Sequence, residues 1–129
     1  MSDYTCHVKI INHSDFTLQL DSESKDKYGQ SWSTHPQNTI GTDQQSRWAV
    51  LGPNTTAQGA GGYVSYTVEQ NDTVLEFDFS NPKIGRNKAS FQANGVNLSF
   101  RTKVGDGSWS ADGVVQQGPG AFYVEYTLS

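Results

Sequence analysis

At 129 residues the chain has room for one domain around one core and none for a second, cofactor-sized lobe. Nine Lys and Arg, scattered rather than clustered, against thirteen Asp and Glu give a net charge of -4, which argues against a nucleic-acid partner and against attraction to anionic lipid by charge alone. Only 34% of the residues are hydrophobic, yet three Trp, six Tyr and six Phe supply apolar area for two packed layers, so the composition is that of a folded domain.

The opening Met1-Ser2-Asp3-Tyr4 carries neither a charged n-region nor an apolar h-region, and no stretch approaches the roughly 18 apolar residues of a spanning helix. The expectation is a soluble protein without a classical signal peptide, cytoplasmic or non-classically secreted. Period-two alternation then begins, with Cys6, Val8 and Ile10 against Thr5, His7 and Lys9. Cys6 is the single cysteine, so no intrachain disulfide can form, and the simplest expectation is a buried, inert thiol on the first strand. After a His13-Ser14-Asp15 turn, Phe16, Leu18 and Leu20 can face Asn12, Ile10 and Val8 in a register that keeps the apolar residues on one side.

The glycine-rich run Thr56-Ala57-Gln58-Gly59-Ala60-Gly61-Gly62-Tyr63 feeds a two-faced segment: Val64, Tyr66 and Val68, then Leu75, Phe77 and Phe79 around Asn71-Asp72. Pairing outward from that turn sets Val68 against Leu75, Tyr66 against Phe77 and Val64 against Phe79. A second punctuated loop, Asn81-Pro82-Lys83-Ile84-Gly85-Arg86-Asn87, follows, and loops flanking a rigid hairpin are favoured places for function. Asn94-Gly95 is the strongest hairpin signal and predicts Ala93 opposite Val96, Phe91 opposite Leu98 and Ala89 opposite Phe100. Past the Asp106-Gly107, Asp112-Gly113 and Gly118-Pro119-Gly120 turns, Phe122, Val124, Tyr126 and Leu128 define a long final strand. With no helical periodicity, repeat or linker, residues 1–129 are predicted to form one all-β domain, a single antiparallel β-sandwich. Val64, Tyr66, Val68, Leu75, Phe77, Phe91, Leu98 and Phe100 are its predicted core-facing residues.

Catalytic constellations are weak. His7, His13 and His35 lack metal-ligand spacing, Gly107-Ser108-Trp109-Ser110-Ala111 lacks the closing glycine of a nucleophile elbow, and Glu69, Glu76 and Asp78 fit a solvated strand face. Asp106 and Asp112 belong to ordinary Asp-Gly turns without calcium-loop spacing. No enzyme activity, metal or cofactor is expected. Four sequons, at Asn12, Asn54, Asn71 and Asn97, matter only in a secretory setting. The aromatics are the better lead: Trp32, after Tyr28-Gly29-Gln30-Ser31, and Trp109, after Asp106-Gly107-Ser108, sit beside turns, which suits a membrane-interface ring or a sugar platform.

The order of motifs resembles the aegerolysin family, including its bacterial crystal-protein relatives. The resemblance runs from Val8-Lys9-Ile10-Ile11-Asn12, through Tyr28-Gly29-Gln30-Ser31-Trp32 and Ala57-Gln58-Gly59-Ala60-Gly61-Gly62, to Phe77-Asp78-Phe79-Ser80-Asn81-Pro82. It implies a small acidic β-sandwich that binds sphingolipid-containing membranes, and, as some members do, one that works with a larger pore-forming protein as the targeting half of a toxin. By resemblance Trp32 matches the tryptophan of the early loop, Phe79-Ser80-Asn81-Pro82 matches the Trp-Asp-Cys-Pro loop of the fungal proteins, and Gln58 stands where many of those have Glu. The candidate lipid-contacting set is Tyr28, Trp32, Gln58, Phe79, Asn81, Lys83, Arg86 and Trp109. The alternatives are a lectin-like module stacking sugars on Trp32 or Trp109, and a structural or storage protein that binds neither. The sequence leaves the oligomeric state open.

Overall fold

The structure, a computed structural model, describes residues 5–23, 31–51, 60–82, 87–111 and 120–129. The strands among them are β1 (Cys6–Asn12), β2 (Leu18–Glu23), β3 (Ser31–Thr34), β4 (Thr39–Ile40), β5 (Gln44–Leu51), β6 (Ala60–Val68), β7 (Val74–Asn81), β8 (Lys88–Gln92), β9 (Leu98–Val104) and β10 (Phe122–Leu128). They form two five-stranded sheets, sheet A in the order β3-β5-β1-β10-β9 and sheet B in the order β4-β2-β6-β7-β8. The domain is the expected all-β sandwich. Its pairing is antiparallel throughout the described strands except at the middle of sheet A, where β1 and β10 run parallel.

Alternation explains which side of each strand is buried. In β1 and β10 every second residue points into the sandwich, so Cys6, Val8, Ile10, Phe122, Val124, Tyr126 and Leu128 are buried while His7, Lys9, Tyr123 and Glu125 face out. Val64, Tyr66, Val68, Leu75 and Phe77 are fully buried as predicted, and Phe91, Leu98 and Phe100 pack half-buried against the same cluster. Aromatic contacts bind the layers: Phe77 meets Tyr126 edge-on at 4.7 Å and Phe91 meets Phe100 at 5.4 Å. The Cys6 thiol is buried among them, and burial holds its pKa well above the usual range.

Three expected pairings are corrected. Asn94-Gly95 does not close a hairpin: β8 pairs with β7 in sheet B and β9 with β10 in sheet A, so the turn carries the chain from one sheet to the other. Phe91 and Phe100 therefore meet across the core instead of side by side. The His13-Ser14-Asp15 turn likewise crosses between sheets, β1 lying in sheet A and β2 in sheet B. At Asn71-Asp72 the hairpin exists but is shifted by two residues, with Tyr66 opposite Leu75 and Val64 opposite Phe77. Val68 closes the loop by donating to the Thr73 carbonyl, which leaves a connection longer than a two-residue turn, with Asp72 in the left-handed region at φ 59°. A two-residue slip preserves the face each side chain takes, so the predicted core residues survive the change of register.

Polar groups inside the sandwich tie its layers together. Asn12, wholly buried at the end of β1, donates through Nδ2 to the carbonyls of Phe16, Ile40 and Gly41 and accepts at Oδ1 from the Ser14 amide and hydroxyl. A side chain so engaged is no glycan acceptor in the folded protein. Tyr66 donates to the Gln37 carbonyl at 2.6 Å, and Tyr126 donates to the carbonyls of Ser90 at 2.9 Å and Asp78 at 3.2 Å. Burial pushes the Tyr66 phenol up to about 12, and burial together with the Asp78 charge raises Tyr126 as well.

These phenols set the response to alkali. Tyrosines of the unfolded chain ionise near pH ~10, whereas Tyr66 holds its proton to about 12, so ionisation favours unfolding. Stability from Tyr66 is expected to be complete below pH ~10 and to fall as pH rises through about 12, with its phenolate absorbance and that of Tyr126 appearing only as the fold is lost. A titration in which all six tyrosines ionise near pH ~10 while circular dichroism stays native would contradict the burial of both.

Candidate functional site

The pairing registers bring many strand ends together at one end of the sandwich. There Cys6 lies beside Val50 and Phe122, Ser31 beside Leu51, and Ala60 beside Asn81. Tyr28, Gln58, Lys83 and Arg86 lie outside the described residues. The residues that flank those segments, Glu23 and Ser31, Leu51 and Ala60, Pro82 and Asn87, all belong to this end.

Trp32 is the described member of the candidate set that fits the site. It sits in edge strand β3 rather than in a turn, paired with Val50, and is half-buried. One side of its ring meets Phe79 edge-on at 6.3 Å, and His35 stacks on it at 5.5 Å. His35 is held in turn by Glu23, whose two carboxylate oxygens lie 2.9 and 3.0 Å from Nδ1. Sequence reasoning missed Leu51, the last residue of β5, which is 45% exposed beside Ser31. Its signal was a large apolar residue out of phase with inward-facing Trp48 and Val50, immediately before Gly52-Pro53.

Phe79 and Asn81 are corrected from lipid contacts to structural residues. Phe79 is 3% exposed and packs between Trp32 and Trp48. Asn81 is wholly buried, its Nδ2 donating to the carbonyls of Thr5 at 3.3 Å and Gly120 at 3.0 Å, so it fastens the end of β7 to the starts of β1 and β10. Inward phase within β7 dictates this, since Leu75, Phe77, Phe79 and Asn81 share one side of the strand. Neither side chain reaches the surface where a head group would lie.

Trp109 belongs to a different surface, the outer face of sheet A. The turn after β9 uses Gly105 in the left-handed region at φ 53°, and Ser110 exchanges two backbone hydrogen bonds with Thr102, which returns the loop onto the sheet edge. The Trp109 ring then lies over the Arg101 guanidinium at 4.2 Å and the Lys103 ammonium at 5.0 Å. Beside it is a cleft of about 420 Å³, floored by His7, Lys9, Tyr123 and Glu125 and bounded by Thr34, Arg47, Lys103 and Trp109. His7 stacks on Tyr123 at 4.9 Å, and Lys103 sits 5.0 Å from the same ring. Glu125 accepts from Arg101 Nε at 3.2 Å and lies 3.7 Å from Lys9 Nζ.

Among the described residues no three His, Cys, Asp or Glu side chains gather as metal ligands, and no helix is long and apolar enough to cross a membrane. No family model matches the chain, and no curated protein matches it by sequence. Solved structures do match in fold. The lipid binding protein Nakanori superposes with a TM-score of 0.66 at 12% identity, over 98% of this chain and 71% of its own. RahU, solved in complex with a TRIS molecule, gives 0.61 at 10% identity over 97% of this chain and 95% of its own. IP-1A from Alcaligenes faecalis gives 0.62 at 13% identity over 99% and 94%. At such identities the likeness establishes the sandwich topology alone.

The two aromatics separate in a stability assay. Phe79→Ala is expected to lower the denaturant unfolding free energy by about 3 to 5 kcal/mol, as truncation of a buried ring does. Trp109→Ala, which loses a surface ring and its cation contacts, is expected to cost about 1 kcal/mol. Equal costs would show that the sandwich buries these rings otherwise.

Proposed function

We propose that the protein is a non-enzymatic membrane-binding module that recognises a sphingolipid head group at the end of the sandwich carrying Trp32. The observation that carries this reading is the placement of Trp32: a half-buried indole on an edge strand, braced by Phe79 and His35, with exposed Leu51 in the neighbouring strand. A half-buried indole braced by protein rings suits the bilayer interface, where the ring is apolar and its N–H stays wet. The fold shared with a lipid binding protein supports the same reading, as does the aegerolysin-like order of motifs.

Burying one or two rings contributes only a few kcal/mol, on the order of a weak reversible contact. Tight attachment would need several copies on one membrane or a larger pore-forming partner that the bound module recruits. In that reading the module supplies the address and the partner the pore.

Vesicle co-sedimentation tests the proposal. Vesicles containing sphingomyelin or ceramide phosphoethanolamine are expected to bind the protein while phosphatidylcholine vesicles do not. Trp32→Ala is expected to weaken binding roughly tenfold, the loss of about one ring's burial, with the far-UV circular dichroism spectrum retained. Because Trp32 also covers Phe79, a modest fall in melting temperature accompanies the change. Binding to all three vesicles alike, or binding to sphingolipid vesicles that ignores Trp32→Ala, would overturn the assignment.

A further inference from the structure

Among the described residues, the two outer faces of the sandwich carry opposite charge. On sheet B, Asp21, Glu76 and Asp78 lie outside the buried phase, with Lys88 as their cationic neighbour. On sheet A, strand pairing lines up Arg47, Lys9, Glu125 and Arg101 in one row across four strands, and Ala49, His7, Tyr123 and Lys103 in the adjacent row. Four of the nine Lys and Arg of an acidic chain thus share one sheet face with a single carboxylate in their rows, and Arg101 and Lys9 already neutralise that carboxylate. The cleft lies over these rows, with Arg47 and Lys9 toward one side and Lys103 toward the other, and the span from β5 to β9 is about 14 Å at ordinary strand spacing.

The aromatic groups narrow the occupant. Tyr123 is flanked by His7 from β1 and Lys103 from β9, so it offers no free ring face on which a nucleobase could stack. Trp109 packs on the Arg101 and Lys103 cations of β9, and a ring so engaged is poorly suited to entering a bilayer, where those charges would have to follow it. It is 38% exposed, which leaves apolar ring surface for the ring of a sugar. A cleft of about 420 Å³ spanning the four strands from β5 to β9 matches a short polyanion rather than a long one.

We infer that the outer face of sheet A is a binding site for a short acidic oligosaccharide, whose sulfate or carboxylate groups pair with Arg47, Lys9 and Lys103 while one sugar ring rests on Trp109. The site is separate from the sphingolipid end and does not depend on it. Charged hydrogen bonds supply most of the attachment, so binding weakens as salt rises.

Calorimetric titration of the intact protein with a heparin-derived sulfated tetrasaccharide, and with the same sugar chemically desulfated, tests the inference. Saturable binding is expected for the sulfated sugar and binding at least roughly tenfold weaker for the desulfated one. Arg47→Ala and Lys103→Ala are each expected to weaken the sulfated sugar roughly tenfold, and Trp109→Ala to weaken both sugars, with circular dichroism unchanged in every variant. Phosphatidylserine vesicles and oligothymidylate serve as the other occupants. Failure of the sulfated sugar to bind, equal binding of the two sugars, indifference to Arg47→Ala and Lys103→Ala, or capture of vesicles or oligothymidylate in preference to the sugar would each overturn the inference. Sphingomyelin-vesicle binding by Arg47→Ala is expected to match the parent protein, so the failure of either site is read apart from the other.

Discussion

The parallel pairing of the first strand with the last is the constraint on which the rest of the structure depends. Seven residues of β1 lie in register with seven of β10, from Cys6 beside Phe122 to Asn12 beside Leu128, at the centre of sheet A. Parallel strands cannot be joined by a tight turn, and here the two are separated along the chain by all the other strands described. Its inner side supplies Val8, Ile10, Val124 and Tyr126 to the core, and its outer side supplies His7, Lys9, Tyr123 and Glu125 to the cationic face. One pairing thus builds both the apolar layer and the floor of the cleft.

Buried asparagines at the two ends complete the frame. Asn12 joins the end of β1 to backbone around β2 and β4, and Asn81 joins the end of β7 to the starts of β1 and β10. Each bonds carbonyls of separate segments through one buried side-chain amide, and the loss of a buried partner costs more than an ordinary hydrogen bond contributes. Tyr66 and Tyr126 do the same between strands with their hydroxyls, while their rings fill the interior. A sandwich fastened this way at the level of its strands can leave its end connections to recognition, the arrangement on which binding scaffolds depend.

The phase of burial was legible in the sequence because side-chain period two is a local property. Val64 through Phe77, and Phe122 through Leu128, show it without knowledge of any partner strand. Pairing was not legible to the same degree. Ala89 and Phe91 against Leu98 and Phe100 satisfy a hairpin or a crossing between sheets equally well, since both bring the same apolar sides to one interior. The role of Asn81 was misread for a related reason: its position in a motif says nothing of its burial, which follows from the inward phase of β7 and the arrival of Thr5 and Gly120 from far along the chain. The cationic cleft was the least legible feature, because Lys9, Arg47, Lys103 and Tyr123 are scattered in sequence and meet only through strand order. Trp109 was picked out as a candidate, but its cation neighbours were not.

Native-state hydrogen exchange across increasing denaturant measures the central pairing directly. If β1 and β10 form the middle of sheet A as described, the amides of Val8, Ile10, Val124 and Tyr126 exchange only through global unfolding, with the free energy and denaturant dependence of the whole domain. Exchange of the β1 amides through a smaller opening, while β6 and β7 remain protected, would show that the first strand is a peripheral addition and would contradict the frame on which both proposed sites rest.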